Sequence, residues 1–475
     1  MTDKRKAQTA TAACRSVSPT GGWLGRFWTE QNGSMSYLAV AGALVMTVFG
    51  GIGIDMIHAE LKRNKIQNTL DRAVLAAADL ENVVDPTMTV EDYFRAMQMS
   101  DTLTSVSTDT GSNYKRVTAT GHATMASNFM ELIGVTNLQA GGVSTAEEHI
   151  NKVEVSLVLD ISGSMADNQK MRRLKSASSI FLDTVLRDEN AGLVSVSLVP
   201  YSEHVNPGEG IFNLLNVDQQ HGFSHCIEFP ETEFTSTALN TSITYEQMQH
   251  YQWNYFGNND REDTVCPQFG YETITPFSID REALKTQINA MEPRAGTAIF
   301  TGMKWGTALL DPSTQFIADS MINDGSVDVA VAGRPVSFSD TDTIKTIVLM
   351  TDGQHSQSFR IQDWAYNSES EVALWGQNNL WYYLVNNVHS SMWGSYYTQA
   401  WNATQADNML NSICSAAKDQ GIVIWGVGFE VSDHGANVMQ NCASSPSHFF
   451  RVEGVAIEDA FYSIARTINQ LRLTQ

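Results

Sequence analysis

The chain has 475 residues, 43% of them hydrophobic and 17% charged, with 10 Trp, 14 Tyr and 20 Phe; this is enough apolar mass for one large domain, a smaller one and appendages, and too much for a disordered chain. Thirty basic residues against 52 acidic ones leave a formal charge of −22. That is the wrong sign for gripping phosphate backbones through counterion release, and it argues against nucleic acid as a partner.

Residues 1–35 form a basic arm with five basic side chains (Lys4, Arg5, Lys6, Arg15, Arg26) and two acidic ones (Asp3, Glu30), so the other 440 residues carry −25. Residues 36–54, SYLAVAGALVMTVFGGIGI, are uncharged and close in number to the ~20 that cross ~30 Å of hydrocarbon. A soluble core helix of this length keeps a polar face, and a secretory signal has a shorter apolar stretch and a small-residue cleavage site. A transmembrane helix is therefore expected. Lys62, Arg63, Lys65 and Arg72 nearly balance the arm, so charge alone does not orient it. Cysteine placement is more telling. Cys14 stands alone before the span, while Cys226, Cys266, Cys414 and Cys442 form an even set after it, as suits an oxidising compartment. Of the three pairings those four allow, Cys226 with Cys266 and Cys414 with Cys442 is the one expected.

After the span, Ile57, Leu61, Ile66, Leu70, Val74 and Ala77 or Ala78 recur at steps of three to five. The spacing predicts a helical stalk over residues 55–85 that stops at Asp85-Pro86 and carries the chain ~40 Å onward. Residues 86–150 read as a small α+β module: a helix at 90–97, two alternating strands around a Gly-Ser-Asn turn, a helix at 128–133 and a strand near 141–149. No catalytic constellation stands there.

From residue 151 to 475 strands and helices alternate, which predicts an α/β fold with a doubly wound, mostly parallel sheet. The near-continuous apolar strand KVEVSLVLD, residues 152–160, leads to a helix at 171–187. Strands at 193–202, 343–352, 422–431 and 448–454 and helices at 279–291, after Gly296, at 403–421 and up to about residue 471 complete the pattern.

The first of these strands ends in Asp160-Ile161-Ser162-Gly163-Ser164. Ligands of open α/β sheets collect at the carboxyl ends of strands, at a topological switch point. Carboxylate and hydroxyl oxygens at alternate positions of a tight turn suit a hard divalent cation. Thr297 in AGTAIFTG and Asp352 at the end of TIVLMTDG bring two more oxygens to the same end of the sheet. A simpler account is a capped helix start, with Ser162 or Ser164 satisfying orphan N–H groups. An aspartyl-nucleophile phosphohydrolase would need a second Asp two residues after Asp160 as general acid, and Ser162 stands there.

Residues 152–475 resemble a von Willebrand factor type A domain, with DISGS, the Gly-Thr loop and TDG in that family's order. The resemblance implies a metal-ion-dependent adhesion site (MIDAS) made of Asp160, Ser162, Ser164, Thr297 and Asp352. It would hold a divalent cation, Mg²⁺ first with Mn²⁺ or Ca²⁺ as alternatives, and keep a coordination position open for an acidic oxygen of a partner.

The segment RFWTEQNGSMSYLAVAGALVMTVFGGIGIDMIHAELKRNKIQNTLDRAVLAAADL resembles the opening of TadG-like Flp pilus-assembly proteins, and CASSPSHFFRV, residues 442–452, is similar to that family as well. The resemblance implies a single-pass protein of a bacterial inner membrane, with a short cytoplasmic arm and a periplasmic C-terminal domain, serving the tight-adherence secretion machinery. Its partners would be other pilus or secretion components that present a carboxylate. Pseudopilins of that system carry a Glu at the fifth mature position; counted from Ser34, Leu38 occupies it, and no cleavage is expected.

Two insertions interrupt the large domain, at about residues 203–269 and 353–402. The second holds Trp364, Trp375, Trp381, Trp393 and Trp401 with Tyr366, Tyr382, Tyr383, Tyr396 and Tyr397. They form either a small core of the insertion itself or a partner-binding lid. In the first, the run Tyr245, Tyr251, Trp253, Tyr255 and Phe256 suits a core, and His221, His225, Cys226 and Cys266 raise a zinc site, for which a disulfide is the simpler alternative. His355, close behind Asp352, reads as a loop histidine, with tuning of ligand access as the alternative. With no nucleophile–base pair, phosphate-cradling loop or carboxylate pair at catalytic spacing, the expected role is non-enzymatic: metal-dependent protein binding in pilus assembly or, alternatively, adhesion to a host or matrix ligand through the same site. A closed, fold-stabilising metal is the third option.

Overall fold

The computed structural model describes residues 34–80, 82–111, 113–188, 191–254 and 257–473. The basic arm lies outside these except for its last two residues, and Cys14, Tyr255 and Phe256 lie outside them too. The chain divides into two compact units between Glu148 and His149.

In the first unit a single helix, α1 (Ser34–Ala78), runs through the apolar stretch and the expected stalk. Among the described residues it is the one helix long and apolar enough to cross a membrane. Leu38, Met46 and Phe49 are each at least 70% exposed, so this part of α1 is no buried core helix, and the side chains are of the kind that face lipid. Further along, Ile66, Leu70, Val74 and Ala77 are buried against α2 (Pro86–Ala96) and β2 (Tyr114–Ala126), with Phe94 and Val117 at the centre of that small core. Ile57 and Leu61 remain exposed. The five-residue step from Leu61 to Ile66 turns ~140° about the helix axis, which places the two sets on opposite sides. The pair Asp85-Pro86 does not end the helix as expected. α1 stops at Ala78, and Asp85 instead caps α2, its carboxylate accepting from Thr87 N (2.8 Å) and Met88 N (3.1 Å) with Pro86 at the first helical position, where a missing N–H costs nothing. β1 (Leu103–Thr110), β2 and β3 (Asn137–His149) form a three-stranded sheet. At the end of the apolar stretch the Asp55 carboxylate accepts from the backbone N–H groups of Asn128, Phe129 and Met130, fastening α1 to the turn between β2 and β3.

The second unit is built on six strands in the order β14-β13-β10-β4-β5-β9. These are β4 (Lys152–Asp160), β5 (Val194–Tyr201), β9 (Thr275–Ser278), β10 (Thr343–Thr351), β13 (Val423–Phe429) and β14 (Phe449–Val452). All pairs are parallel except β5 with β9. Leu198, Leu157, Val348 and Trp425 stand side by side across four strands, so alternate residues feed two buried layers, one on each face. On one face lie α3 (Lys170–Val185), α4 (Arg281–Ala290) and, at the C-terminus, Ala456–Leu473; Phe181 meets Phe461 edge to face at 6.2 Å. On the other lie α5 (Ile299–Ala308), α6 (Gln315–Asn323) and Ala403–Asp419. Gly302 and Gly306 let α5 approach the sheet closely: a Cβ on either would stand within 2.7 Å of Tyr201 or Val158 side-chain atoms.

The insertions carry their own elements. The first forms a small sheet in the order β6 (Val217–Asp218), β8 (Tyr245–Gln247), β7 (Ile227–Glu228); the second pairs β11 (Ser358–Ile361) with β12 (Tyr397–Trp401) and adds α7 (Glu369–Gln377) and α8 (Leu380–Asn387). Ala403–Asp419 is α9, Asp433–Cys442 is α10 and Ala456–Leu473 is α11. Tyr251 and Cys226 of the first insertion share one buried cluster with Trp375, Tyr366 and Leu384 of the second. The aromatic residues therefore build a core common to both insertions, while Trp364 stays 51% exposed. Cys226 is bonded to Cys266 and Cys414 to Cys442. The zinc alternative fails: both cysteine sulfurs are used, His221 Nε2 lies 3.0 Å from Met248 O and the His225 ring packs on Phe212.

Candidate functional site

β4 sits in the middle of the sheet with β5 on one side and β10 on the other, so the chain changes winding direction there, and the loops after β4 and β10 meet at a topological switch point. The loop after β4 carries Asp160, Ser162 and Ser164. Asp160, fully buried, accepts from its own loop (Ser162 N, 2.8 Å), from Thr351 Oγ1 (2.7 Å) and from Tyr201 Oη (3.4 Å). Three strands thus hold one carboxylate. Ser162 Oγ lies 3.2 Å from Ser164 Oγ, and Ser164 Oγ donates to Asp352 Oδ1 at 2.7 Å. Three of the five expected residues form one chain of side-chain oxygens, and Asp160 joins it through the Ser162 backbone N–H.

Thr297 reaches the same loops through its backbone. Arg294 N donates to Ile161 O (2.8 Å) and Gly163 N to Ala295 O (3.0 Å), which docks residues 294–297 on the Asp160 turn. Thr297 N donates to Ser356 Oγ and Ser356 N to Thr297 O, at 3.1 and 2.9 Å. This ties the threonine loop to the one after β10. The capped-helix account of the serines does not hold. Ser162 makes no capping hydrogen bond, and a short 3₁₀ turn with Asn168 and Gln169 at positive φ separates it from α3.

Two carboxylates this close oppose each other's charge. Burial, and then the neighbouring Asp352, push Asp160 up to about 7. A cation between them would relieve both effects. Hydroxyl and carboxylate oxygens, without sulfur or imidazole, are the donor set of a hard divalent ion such as Mg²⁺, and the residues fit one. Among the described residues no group of three or more His, Cys, Asp and Glu stands close enough to hold a metal; the candidate set escapes that pattern because three of its five donors are hydroxyls.

Three neighbours lie outside the motif, and of them only His355 was singled out in the sequence. Lys170, at the start of α3, donates to Asp352 Oδ2 at 2.9 Å, and both side chains are buried. Glu203, just after β5, is buried beside the threonine loop. It accepts from Trp253 Nε1 and Ser358 Oγ, and burial raises its pKa. His355 accepts from Phe300 N at Nε2 (3.3 Å) and so donates through Nδ1 to Asp407 (2.7 Å), pinning the loop after β10 against the first turn of α5. These contacts span 50 to 182 residues of sequence; no local signal announces those of Lys170 and Glu203.

Residues 33–80 match the family model of putative Flp pilus-assembly TadE/G-like proteins. No curated protein matches the chain. Among solved structures, the von Willebrand factor domain of the type V pili tip protein Mfa5 from Porphyromonas gingivalis is 15% identical, covering 69% of this chain and 98% of that one, with a TM-score of 0.36. The adhesive tip pilin GBS104 of Group B Streptococcus agalactiae is 13% identical over 67% of this chain and 100% of its own, at 0.34. The proximal thread matrix protein 1 of the mussel byssus, with a zinc-occupied MIDAS motif, is 13% identical over 69% of this chain and 49% of its own, at 0.29. None of these distant likenesses says what this chain binds. The chain thus joins a helix whose segment matches a TadE/G-like model to a doubly wound, mostly parallel sheet.

Proposed function

We propose that this chain is a membrane-anchored, non-enzymatic component of Flp pilus assembly or secretion that captures an acidic group of a partner protein through a divalent cation. The residues that would hold the ion are Asp160, Ser162, Ser164, Thr297 and Asp352. The observation that carries this reading is the oxygen chain from Ser162 through Ser164 to Asp352, with Asp160 fixed behind it. Bound there, Mg²⁺ supplies a Lewis-acidic position at which a partner carboxylate can complete the coordination sphere. Asp160 orients the turn, Thr351 and Tyr201 keep its carboxylate in place, and His355 holds the facing loop. A bacterial inner-membrane address with the large unit in the periplasm is supported by the TadE/G-like segment, by the exposed apolar length of α1, and by two disulfides that both lie after it.

The test is a crosslinking pull-down from intact cells. Asp160→Ala combined with Ser162→Ala is expected to abolish chelator-sensitive capture while the chain still fractionates with the inner membrane. Capture that persists unchanged in chelator would overturn the proposal, and recovery of the native chain at the outer surface would replace pilus assembly with adhesion.

A further inference from the structure

A cavity of about 920 Å³ opens between the two insertions and the first turn of α5, away from the Asp160 turn in sequence and in lining. Its size is that of a ligand pocket. One side is aromatic: Phe234, Phe300 and Trp401 meet edge to face at 5.1 and 5.2 Å. The lining is also acidic. Glu228 is engaged by Arg360, which also lies over the Trp401 ring at 4.7 Å. Glu231, Glu246, Asp363 and Glu369 are exposed at the cavity, and none has an ion-pair partner among the described residues.

The small sheet underneath makes the charge sharper. Asp218 of β6 stands opposite Glu246 of β8, which stands opposite Glu228 of β7. Like charges in facing strand positions destabilise a sheet, and three in a row with one arginine leave an excess that no other ion pair among the described residues compensates. His204 adds no positive charge at neutral pH, because burial holds its imidazole down at about 4.

From the cavity, its aromatic wall and this uncompensated row, we propose that the cavity receives a lysine- or arginine-bearing extended segment of a partner protein. The cation is organic and not a metal ion, since no described set of acidic or histidine side chains is grouped tightly enough for one. The aromatic wall suits the alkyl stem and charged head of such a side chain. A peptide is favoured over a free polyamine by the neighbouring ribbon. The outer edge of β11 is occupied by side chains, with Gln249 bonded to both Ile361 N and Ile361 O and Tyr251 to Phe359 O. β12, whose Thr398 and Ala400 line the cavity, pairs among the described residues with no strand but β11. Its free edge can hydrogen-bond an extended main chain.

The full chain in detergent is titrated with a fluorescent hexapeptide of alternating lysine and valine, with the glutamate–valine hexapeptide and spermidine as controls. The basic peptide is expected to bind at least about ten-fold tighter than either control and to weaken with added salt. Glu231→Gln, Glu246→Gln, Asp363→Asn and Glu369→Gln together remove exposed charges only, and are expected to weaken binding about ten-fold without lowering the melting temperature. Chelator is expected to leave it unchanged, which separates this site from the metal-dependent one. Equal binding of the acidic peptide, or of the fourfold variant, would overturn the proposal. Spermidine binding as tightly as the peptide would overturn the choice of a protein partner.

Discussion

An ammonium group 2.9 Å from Asp352 Oδ2 is the strongest local competitor for any cation at the Asp160 turn. Two unit charges ~4 Å apart at an effective dielectric of 20 interact by ~4 kcal/mol, enough to matter against the binding energy of a weakly held divalent ion. Lys170→Met is therefore expected to raise Mg²⁺ affinity about ten-fold, read by isothermal titration calorimetry. The same substitution leaves Asp352 buried without its partner and is expected to cost the metal-free protein about 3 kcal/mol, read by urea unfolding. Unaltered affinity would mean that Lys170 and the ion do not share the carboxylate. At this scale the loop positions of the five proposed ligands were legible because residue type and sheet-end position coincide in DISGS, AGT and TDG. Lys170 was not, because Asn168 and Gln169 at positive φ swing the start of α3 onto a carboxylate 182 residues away.

The insertions behave as one element built from two chain segments. His250 shows how tightly they close. It stacks on Phe223 with ring centroids 5.2 Å apart and bonds Ser224 Oγ through Nδ1 at 2.9 Å, and burial, with His221 nearby, lowers its pKa from 6.5 to about 4. The folded state thus keeps this ring neutral in a pH window where the unfolded chain protonates it. Stability from this group is complete above pH 6.5 and falls as the pH drops from 6.5 to 4, by about 1.4 kcal/mol per pH unit. Asp160 and Glu272, both raised to about 7 mainly by burial, run in the opposite sense between their unfolded values and 7. The measurement is therefore a difference: wild type minus His250→Phe, by denaturant unfolding at several pH values. A flat difference would contradict the assignment. The aromatic richness of this region was visible in the sequence, yet whether the rings pack inward or present a surface was not. The answer lay in contacts between Tyr251 or Cys226 and residues more than 100 positions later.

At the scale of the whole molecule, a unit that opens with a TadE/G-like segment and a doubly wound unit follow each other in one chain, each with its own core. The parallel strands were legible as near-continuous apolar runs, because a sheet covered on both faces has no polar side to alternate with. The antiparallel edge strand β9, four residues with Pro276 inside, and the two- and three-residue strands β6, β7 and β8 carry no such signal. The end of α1 was misplaced because Asp-Pro marks a helix start as readily as an end. The proposed role rests on distant segments meeting around one ion. Its most direct test is anomalous diffraction from crystals of the chain soaked in Mn²⁺. The account predicts one peak bounded by Ser162 Oγ, Ser164 Oγ and the oxygens of Thr297, Asp160 and Asp352, with an outward position held by water. A site without a peak, Lys170 still bonded to Asp352, or a peak whose outward position is filled by a carboxylate of the chain itself, would contradict it.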